Sequence, residues 1–342
     1  MNTDVPHLDT PSSHADDAAA LAAASHLRSR FIAALEPVVV GQREVLDDLF
    51  VAIVCGGHCL LEGVPGLAKT LVVRSLAQAL ALDFGRIQFT PDLMPADIIG
   101  TDVLEQDSSG ARRLRFLPGP IFKNVVLADE INRAPPKTQS AVLEAMQERQ
   151  VTVGGGCHVL PDPFFVLATR NPIEQEGTYP LPEGQLDRFM FMIRVDYPSG
   201  ADELEIVRRT TGPAPEPIAP VIDRAALDAA ARIVRALPVA EHVMRHAVDL
   251  VRSTRPESPE SPAWLREQVR YGAGPRASQF LVLAAKARAA LDGRPCAEIR
   301  DVTRAAAPVL RHRLVRSFEA ESAGVEPDAI IARLLDASPR SG

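Results

Sequence analysis

A chain of 342 residues has room for more than one hydrophobic core, and 46% hydrophobic with 24% charged residues is the balance of a folded globular protein, not a disordered one. A formal charge of −7 gives no whole-chain attraction for nucleic acid, and no apolar run reaches the roughly 18 residues that cross a bilayer. The N-terminus carries Asp, Ser, Pro and His where a secretion signal has a basic and then an apolar segment, so a cytoplasmic protein is expected. The scattered cysteines Cys55, Cys59, Cys157 and Cys296 fit that reducing setting, and with no second pair at zinc spacing Cys55 and Cys59 read as buried free thiols.

In chain order, residues 1–16 predict a flexible tail and the alanine-rich stretch 17–35 a helix that stops before Pro37. A turn through Val40, Gly41 and Gln42 leads into a second helix over 44–54. Short apolar strands then alternate with helical patterns as far as residue 198, which predicts an α/β sheet covered on both faces. The strands are expected at 58–61, 86–89, 124–128, 164–169 and 189–194, continuous apolar runs of the kind found in buried parallel sheets. Two insertions interrupt the alternation and predict hairpins. One, 101–116, would turn at Asp107-Ser108-Ser109-Gly110, and the other, 150–160, at Gly154-Gly155-Gly156. Residues 199–222, with the proline-rich Thr211-Gly212-Pro213-Ala214-Pro215-Glu216-Pro217, predict a linker. From 223 to 342 the pattern is helical, broken once at 257–262.

The chemistry starts at Gly63, Val64, Pro65, Gly66, Leu67, Ala68, Lys69 and Thr70, between an apolar strand and a helical pattern. A loop so placed turns backbone N–H groups and a helix N-terminus toward phosphate; the lysine reaches the terminal phosphates and the threonine hydroxyl can ligate magnesium. Ala68 departs from the general G-x-x-x-x-G-K-[ST] pattern. Downstream, the apolar run 124–128 ends in Asp129 and Glu130. Such a pair can divide the work, Asp129 holding Mg2+ through its water shell and Glu130 deprotonating the attacking water; a solvated acidic helix cap is the simpler alternative. Asn171 ends another apolar run, and it can hydrogen-bond water or the γ-phosphate or merely form an Asn-Pro turn. Arg188 could pair with Asp187 or project into a neighbouring subunit's nucleotide. Arg276 stands near a helix start, where a cation opposes the dipole, so a partner anion or plain solvent exposure would account for it.

Together these segments resemble the AAA+ ATPases and, within them, the MoxR family. The strings that carry the resemblance are Leu60-Leu61-Glu62 with the phosphate loop, Arg86-Ile87-Gln88-Phe89-Thr90-Pro91-Asp92, Ala128-Asp129-Glu130-Ile131-Asn132-Arg133-Ala134-Pro135-Pro136-Lys137, and Glu176-Gly177-Thr178-Tyr179-Pro180-Leu181-Pro182-Glu183. The resemblance spans about 31–313, and Ala68 is the residue that family itself usually has. It implies a parallel-sheet P-loop α/β core over 17–198 with a C-terminal α-helical lid. It makes Gly63–Thr70 Walker A, Asp129-Glu130 Walker B, Asn171 sensor 1, Arg188 an arginine finger and Arg276 sensor 2. Gly41 and Gln42 would lie by the adenine. It further implies Mg-ATP hydrolysis by a ring, expected to be a hexamer. Its work would be chaperone-like on a protein client, such as metal or cofactor insertion, often with a von Willebrand factor A domain partner. Arg170 stands where the family more often has an uncharged polar residue, Gly274 where serine is common, and Arg133 could touch a neighbouring subunit.

Other readings compete. A nucleic-acid-linked motor would want basic hairpin tips, whereas Asp107 and the glycines at 154–156 are acidic or neutral. A magnesium-chelatase-like motor would differ in its client, and a non-hydrolysing switch would be expected to lose Glu130 or Arg188. His242 and His246 have metal-ligand spacing without a third ligand, Arg311-His312-Arg313 reads as a solvated or ligand-facing basic patch, and Trp264 reads as a packing residue.

Overall fold

The computed structural model describes residues 14–106, 112–172, 177–213 and 216–337. The turn foreseen at 107–110, Glu176, most of the N-terminal tail and Ala214-Pro215 of the linker lie outside them. The chain opens with α1 (His14–Leu35), so the helix begins before the tail was expected to end, and continues with α2 (Arg43–Cys55), β1 (Cys59–Glu62) and α3 (Lys69–Ala79). Next come β2 (Phe84–Gln88), α4 (Pro95–Ile99), β3 (Gly100–Gln106), β4 (Arg112–Pro118) and β5 (Val125–Asp129). After α5 (Pro136–Glu148), β6 (Gln150–Val153), β7 (Gly156–Val159), β8 (Phe165–Arg170) and α6 (Glu183–Leu186), β9 (Phe191–Arg194) closes the set.

Five of these strands form one parallel sheet in the order β2-β5-β8-β1-β9. Parallel strands need covered faces, and these strands feed two separate cores. Leu61, Leu127, Leu167 and Ile193 pack toward α1, α2 and α3, while Leu60, Val126, Val166 and Met192 pack toward α4 and α5. Side chains thus alternate faces although the sequence runs are uniformly apolar. The pairs β3–β4 and β6–β7 are antiparallel ribbons outside this sheet, and they touch where Phe116 stacks on His158 with ring centroids 3.7 Å apart.

Three expectations change in the second half. The stretch read as linker holds α7 (Gly200–Thr211), whose Ser199 cap accepts the Asp202 N–H at 3.2 Å. Acids in its first turn and Arg208 and Arg209 in its last complement the helix dipole. The remaining elements are α8 (Arg224–Ala236), α9 (Glu241–Ser253), α10 (Leu265–Gln268), β10 (Val269–Tyr271), α11 (Pro275–Leu291), α12 (Ile299–Leu310), β11 (Val315–Arg316), α13 (Phe318–Ser322) and α14 (Pro327–Ala337). The small β10–β11 pair was not foreseen. Nor do the helices form a core of their own: Leu227, Leu281, Val302 and Ile331 belong to the same buried cluster as Phe31, Phe50 and Leu61. An ion-pair network around the buried Asp47 of α2 reinforces that junction, with Arg288 of α11 and the exposed Arg304 of α12 reaching it at 3.3 and 3.1 Å.

The Cys55–Cys59 segment is structural. Both thiols are free and buried, burial pushing Cys55 up to about 12. His58 between them accepts the Val166 N–H at 3.0 Å through Nδ1, and burial first, then Arg149, push it down to about 3. Cys157 and Cys296 are exposed.

Candidate active site

The phosphate loop leaves β1 where the sheet crowds it. A Cβ on Gly63 would lie 2.6 Å from the Val195 carbonyl oxygen, and Gly66 adopts φ +87°. Ala68 is left-handed at φ +56°, a conformation that costs a residue with a Cβ about 1–2 kcal/mol. It caps α3, so the unpaired N–H groups of the first helical turn face the loop's interior. The resulting cleft, about 320 Å³, is lined by Gly66, Lys69, Thr70, Asp129, Glu130 and Asn171 among others. Lys69 Nζ is folded back on the loop, donating to the Val64 carbonyl at 2.9 Å and to that of Gly63. Burial lowers its pKa, and the Asp129 and Glu130 carboxylates oppose the shift.

Asp129 and Glu130 are held by residues from the two adjoining strands. The Thr169 hydroxyl donates to Asp129 Oδ1 at 2.6 Å and accepts the Glu130 N–H at 2.8 Å. From β2, Arg86 grips Asp129 Oδ2 through Nη2 at 2.7 Å and Nε at 3.1 Å. Also from β2, Gln88 Nε2 donates to Glu130 Oε2 at 2.9 Å, and Arg133 Nε approaches the same oxygen at 3.2 Å. Glu130 itself is left-handed, at φ +57°. Replacing Thr169 by valine removes both bonds without much change of shape and leaves a buried carboxylate oxygen and an N–H without this partner. A loss of about 1–3 kcal/mol in denaturant unfolding is expected, with Thr169→Ser near wild type.

Beyond the loop, Gly41 and Gln42 line an adjoining cavity of about 600 Å³ together with Arg194 and Tyr197. Gln42 Nε2 faces the Leu67 carbonyl at 3.5 Å, and its buried Oε1 has no hydrogen-bond partner among the described residues. A buried acceptor of that kind calls for a donor.

Arg188 and Arg276 do not line these clefts. Arg188 donates to the Leu143 carbonyl of α5 at 2.6 Å rather than pairing with Asp187. Asp187 is instead gripped by Arg276 at 2.8 Å and by the buried Arg313 at 2.8 Å, so the anion beside Arg276 is a carboxylate of its own chain.

A family model for the ATPase family associated with various cellular activities (AAA) matches residues 58–191, and one for the AAA lid domain matches 263–334. Chaperone MoxR1 of Mycobacterium tuberculosis is 42% identical over 315 residues, covering 92% of this chain and 82% of its own. Protein MoxR of Paracoccus denitrificans is 32% identical over 324 residues, covering 90% and 93%. The chain belongs to the MoxR family of AAA+ ATPases. A crystal structure of a candidate ATPase from Cytophaga hutchinsonii superposes with a TM-score of 0.84 at 39% identity, covering 93% of this chain and 97% of that one.

In this MoxR-family chain the structure brings the loop, the carboxylate pair and Asn171 into one cleft, and the supports of the pair are residues the sequence did not single out. Arg86 and Gln88 share one face of β2, and the register sets Gln88 beside Asp129, a relation invisible until strands are paired. Thr169, the polar residue ending an apolar run, was the available signal. The basic patch at 311–313 needs correction: His312 and Arg313 are buried, His312 bonded to the Phe189 carbonyl at 3.1 Å and Arg313 to Asp187. Arg333 lies 4.0 Å over the Trp264 ring, which packs against the core.

Proposed function

We propose that this MoxR-family ATPase works as a ring, each subunit completing the site of the next, and couples Mg-ATP turnover to remodelling of a protein client. The observation that carries this reading is that neither Arg188 nor Arg276 lines the chain's own phosphate cleft, Arg188 being bonded to the Leu143 carbonyl and Arg276 to Asp187. Two cations that serve a phosphate but do not face their own are placed to serve a neighbour's. The division into a core over 17–198 and a lid from 223 follows the same reading, with the shared hydrophobic cluster as the joint on which the lid is seated.

Within one cleft the steps fall to named groups. Lys69 exchanges the Gly63 and Val64 carbonyls for terminal phosphate oxygens, and the α3 N-terminus takes the adjacent ones. Thr70 and Asp129 fit Mg2+, an ion that accepts one or two protein oxygens beside water and phosphate; bound there, it would neutralise charge on the transferring group. Glu130, once clear of Gln88 and Arg133, accepts the proton of the water whose oxygen attacks Pγ as the bond to the ADP oxygen breaks. Asn171 orients that water, and Gln42 accepts from the adenine amine.

A protein client is supported by the relative named as a chaperone and by the exposed Leu104 and Leu114 on the β3–β4 ribbon. Of the three arginines on the ribbon's second strand, Arg115 pairs with Glu105 at 3.3 Å across it. Metal or cofactor insertion with a von Willebrand factor A domain partner is the client chemistry that membership of the family suggests. Among the described residues, no helix is long and apolar enough to cross a membrane. Turnover per subunit should rise with protein concentration and level off where sedimentation shows assembly. A rate per subunit that stays constant down to the monomer would refute the shared site.

A further inference from the structure

Three parallel strands end level with one another beneath the phosphate loop, and each ends in a charge. Glu62 closes β1, Arg170 closes β8 and Arg194 closes β9, with Glu62 in register with both arginines. Residues in register on parallel strands project to the same face, so the carboxylate stands between two guanidinium groups. Arg170 Nε donates to Glu62 Oε1 at 2.7 Å, and Arg194 Nε lies 3.6 Å from Oε2. Only 12% of the Glu62 side chain is exposed, so water screens its charge weakly.

The row does not stop at the sheet. Arg194 continues to Glu326 at 2.7 Å and to Asp328 at 3.4 Å, at the start of α14. Asp328 also takes Arg311 Nε at 3.0 Å, while Arg311 Nη1 holds the Met192 carbonyl of β9 at 3.0 Å. One end of the row therefore abuts the ATP site, since Arg170 directly precedes Asn171 and Glu62 directly precedes Gly63. The other end is a helix of the lid.

We propose that Glu62 and its two arginines are positioning residues that tie the seating of α14 to the γ-phosphate end of the cleft. The inference rests on the roles given above to Asn171 and the phosphate loop. Movement of Asn171 onto a phosphate carries Arg170 with it. The share of Glu62 left to Arg194 then changes, and with it the hold of Arg194 on Glu326 and Asp328. A row of independent structural contacts would not transmit anything, and the two cases differ in how substitutions combine.

Arg170 is not hydrogen-bonded to Asp328, which makes the pair a direct probe. In the full chain, kcat and KM for ATP are measured for wild type, Arg170→Gln, Asp328→Asn and the double variant, with thermal unfolding of each. Arg170→Gln and Asp328→Asn should each lower kcat about tenfold with KM changed by less than about threefold, and the double variant should be no slower than the slower single. Asp328→Glu should keep most of the rate. Multiplication of the two factors, or a change confined to KM, overturns the proposal. Glu62→Gln should reproduce the slower single variant, and if it does not fold the cycle between 170 and 328 still decides. Failure of the ATP-site assignment is separately visible, because Lys69→Ala would then leave turnover unchanged.

Discussion

Glu130→Gln should stop ATP turnover while leaving nucleotide binding intact. The glutamine keeps the shape of the side chain and an oxygen for the Arg133 contact, but it cannot accept the proton of the attacking water. A fall in kcat of about 10²–10⁴ is expected from losing a general base of this kind. Equilibrium binding of ATP, read with a fluorescent analogue, should change by less than about threefold, since Lys69 and the helix N-terminus that hold the phosphates are untouched. Unchanged phosphate release would remove Glu130 from the mechanism and leave Gln88 and Arg133 as partners of a merely structural acid.

The second large effect is one that two inactive proteins should undo for each other. Arg188→Ala should lower kcat by about 10³-fold or more, the range of an arginine supplied to a transferring phosphate from a neighbour. Lys69→Ala should be inactive for a different reason, its own cleft being unable to hold the phosphates. Mixed in equal amounts, the two should recover activity, because an intact cleft on one subunit meets an intact Arg188 on the next. Random assembly makes roughly a quarter of the junctions competent. Arg276→Ala should behave in the mixing assay as Arg188→Ala does, given that neither arginine lines the phosphate cleft of its own chain. If both variants assemble by sedimentation and no mixture recovers, Arg188 acts within its own chain.

The parts of the site readable from sequence are those set by neighbours along the chain. The five sheet strands lie within two residues of where their apolar runs put them at either end, because a short run buried on both faces has little freedom of position. The phosphate loop is equally local: glycines, Lys69 and Thr70 at fixed spacing make the socket whatever surrounds it. The helix α7 is legible too, since Ser199, Asp202, Glu203, Arg208 and Arg209 are its end signals, although the prolines that follow it favour a linker.

Residues joined across strands or helices were another matter. Thr169 looks like the tail of a hydrophobic run until β8 lies beside β5, when its hydroxyl becomes the clasp between Asp129 and the Glu130 N–H. Arg311, His312 and Arg313 read as a solvated patch because nothing in their sequence says that the end of α12 meets β9. Side-chain polarity reports how much a residue gains from water, not whether the fold offers it a better partner.

By itself the sequence determined the family, the strands, the phosphate loop and the two acids that line its cleft, since all of these follow from local spacing and burial. The tertiary structure alone decided that the helical region shares its core with α1 and α2, that Arg276 answers to Asp187, and that Glu62 stands between Arg170 and Arg194. Those are meetings of groups tens or hundreds of residues apart. Strand register and helix docking bring them within a few ångströms, and at that range charge and hydrogen bonding begin to count.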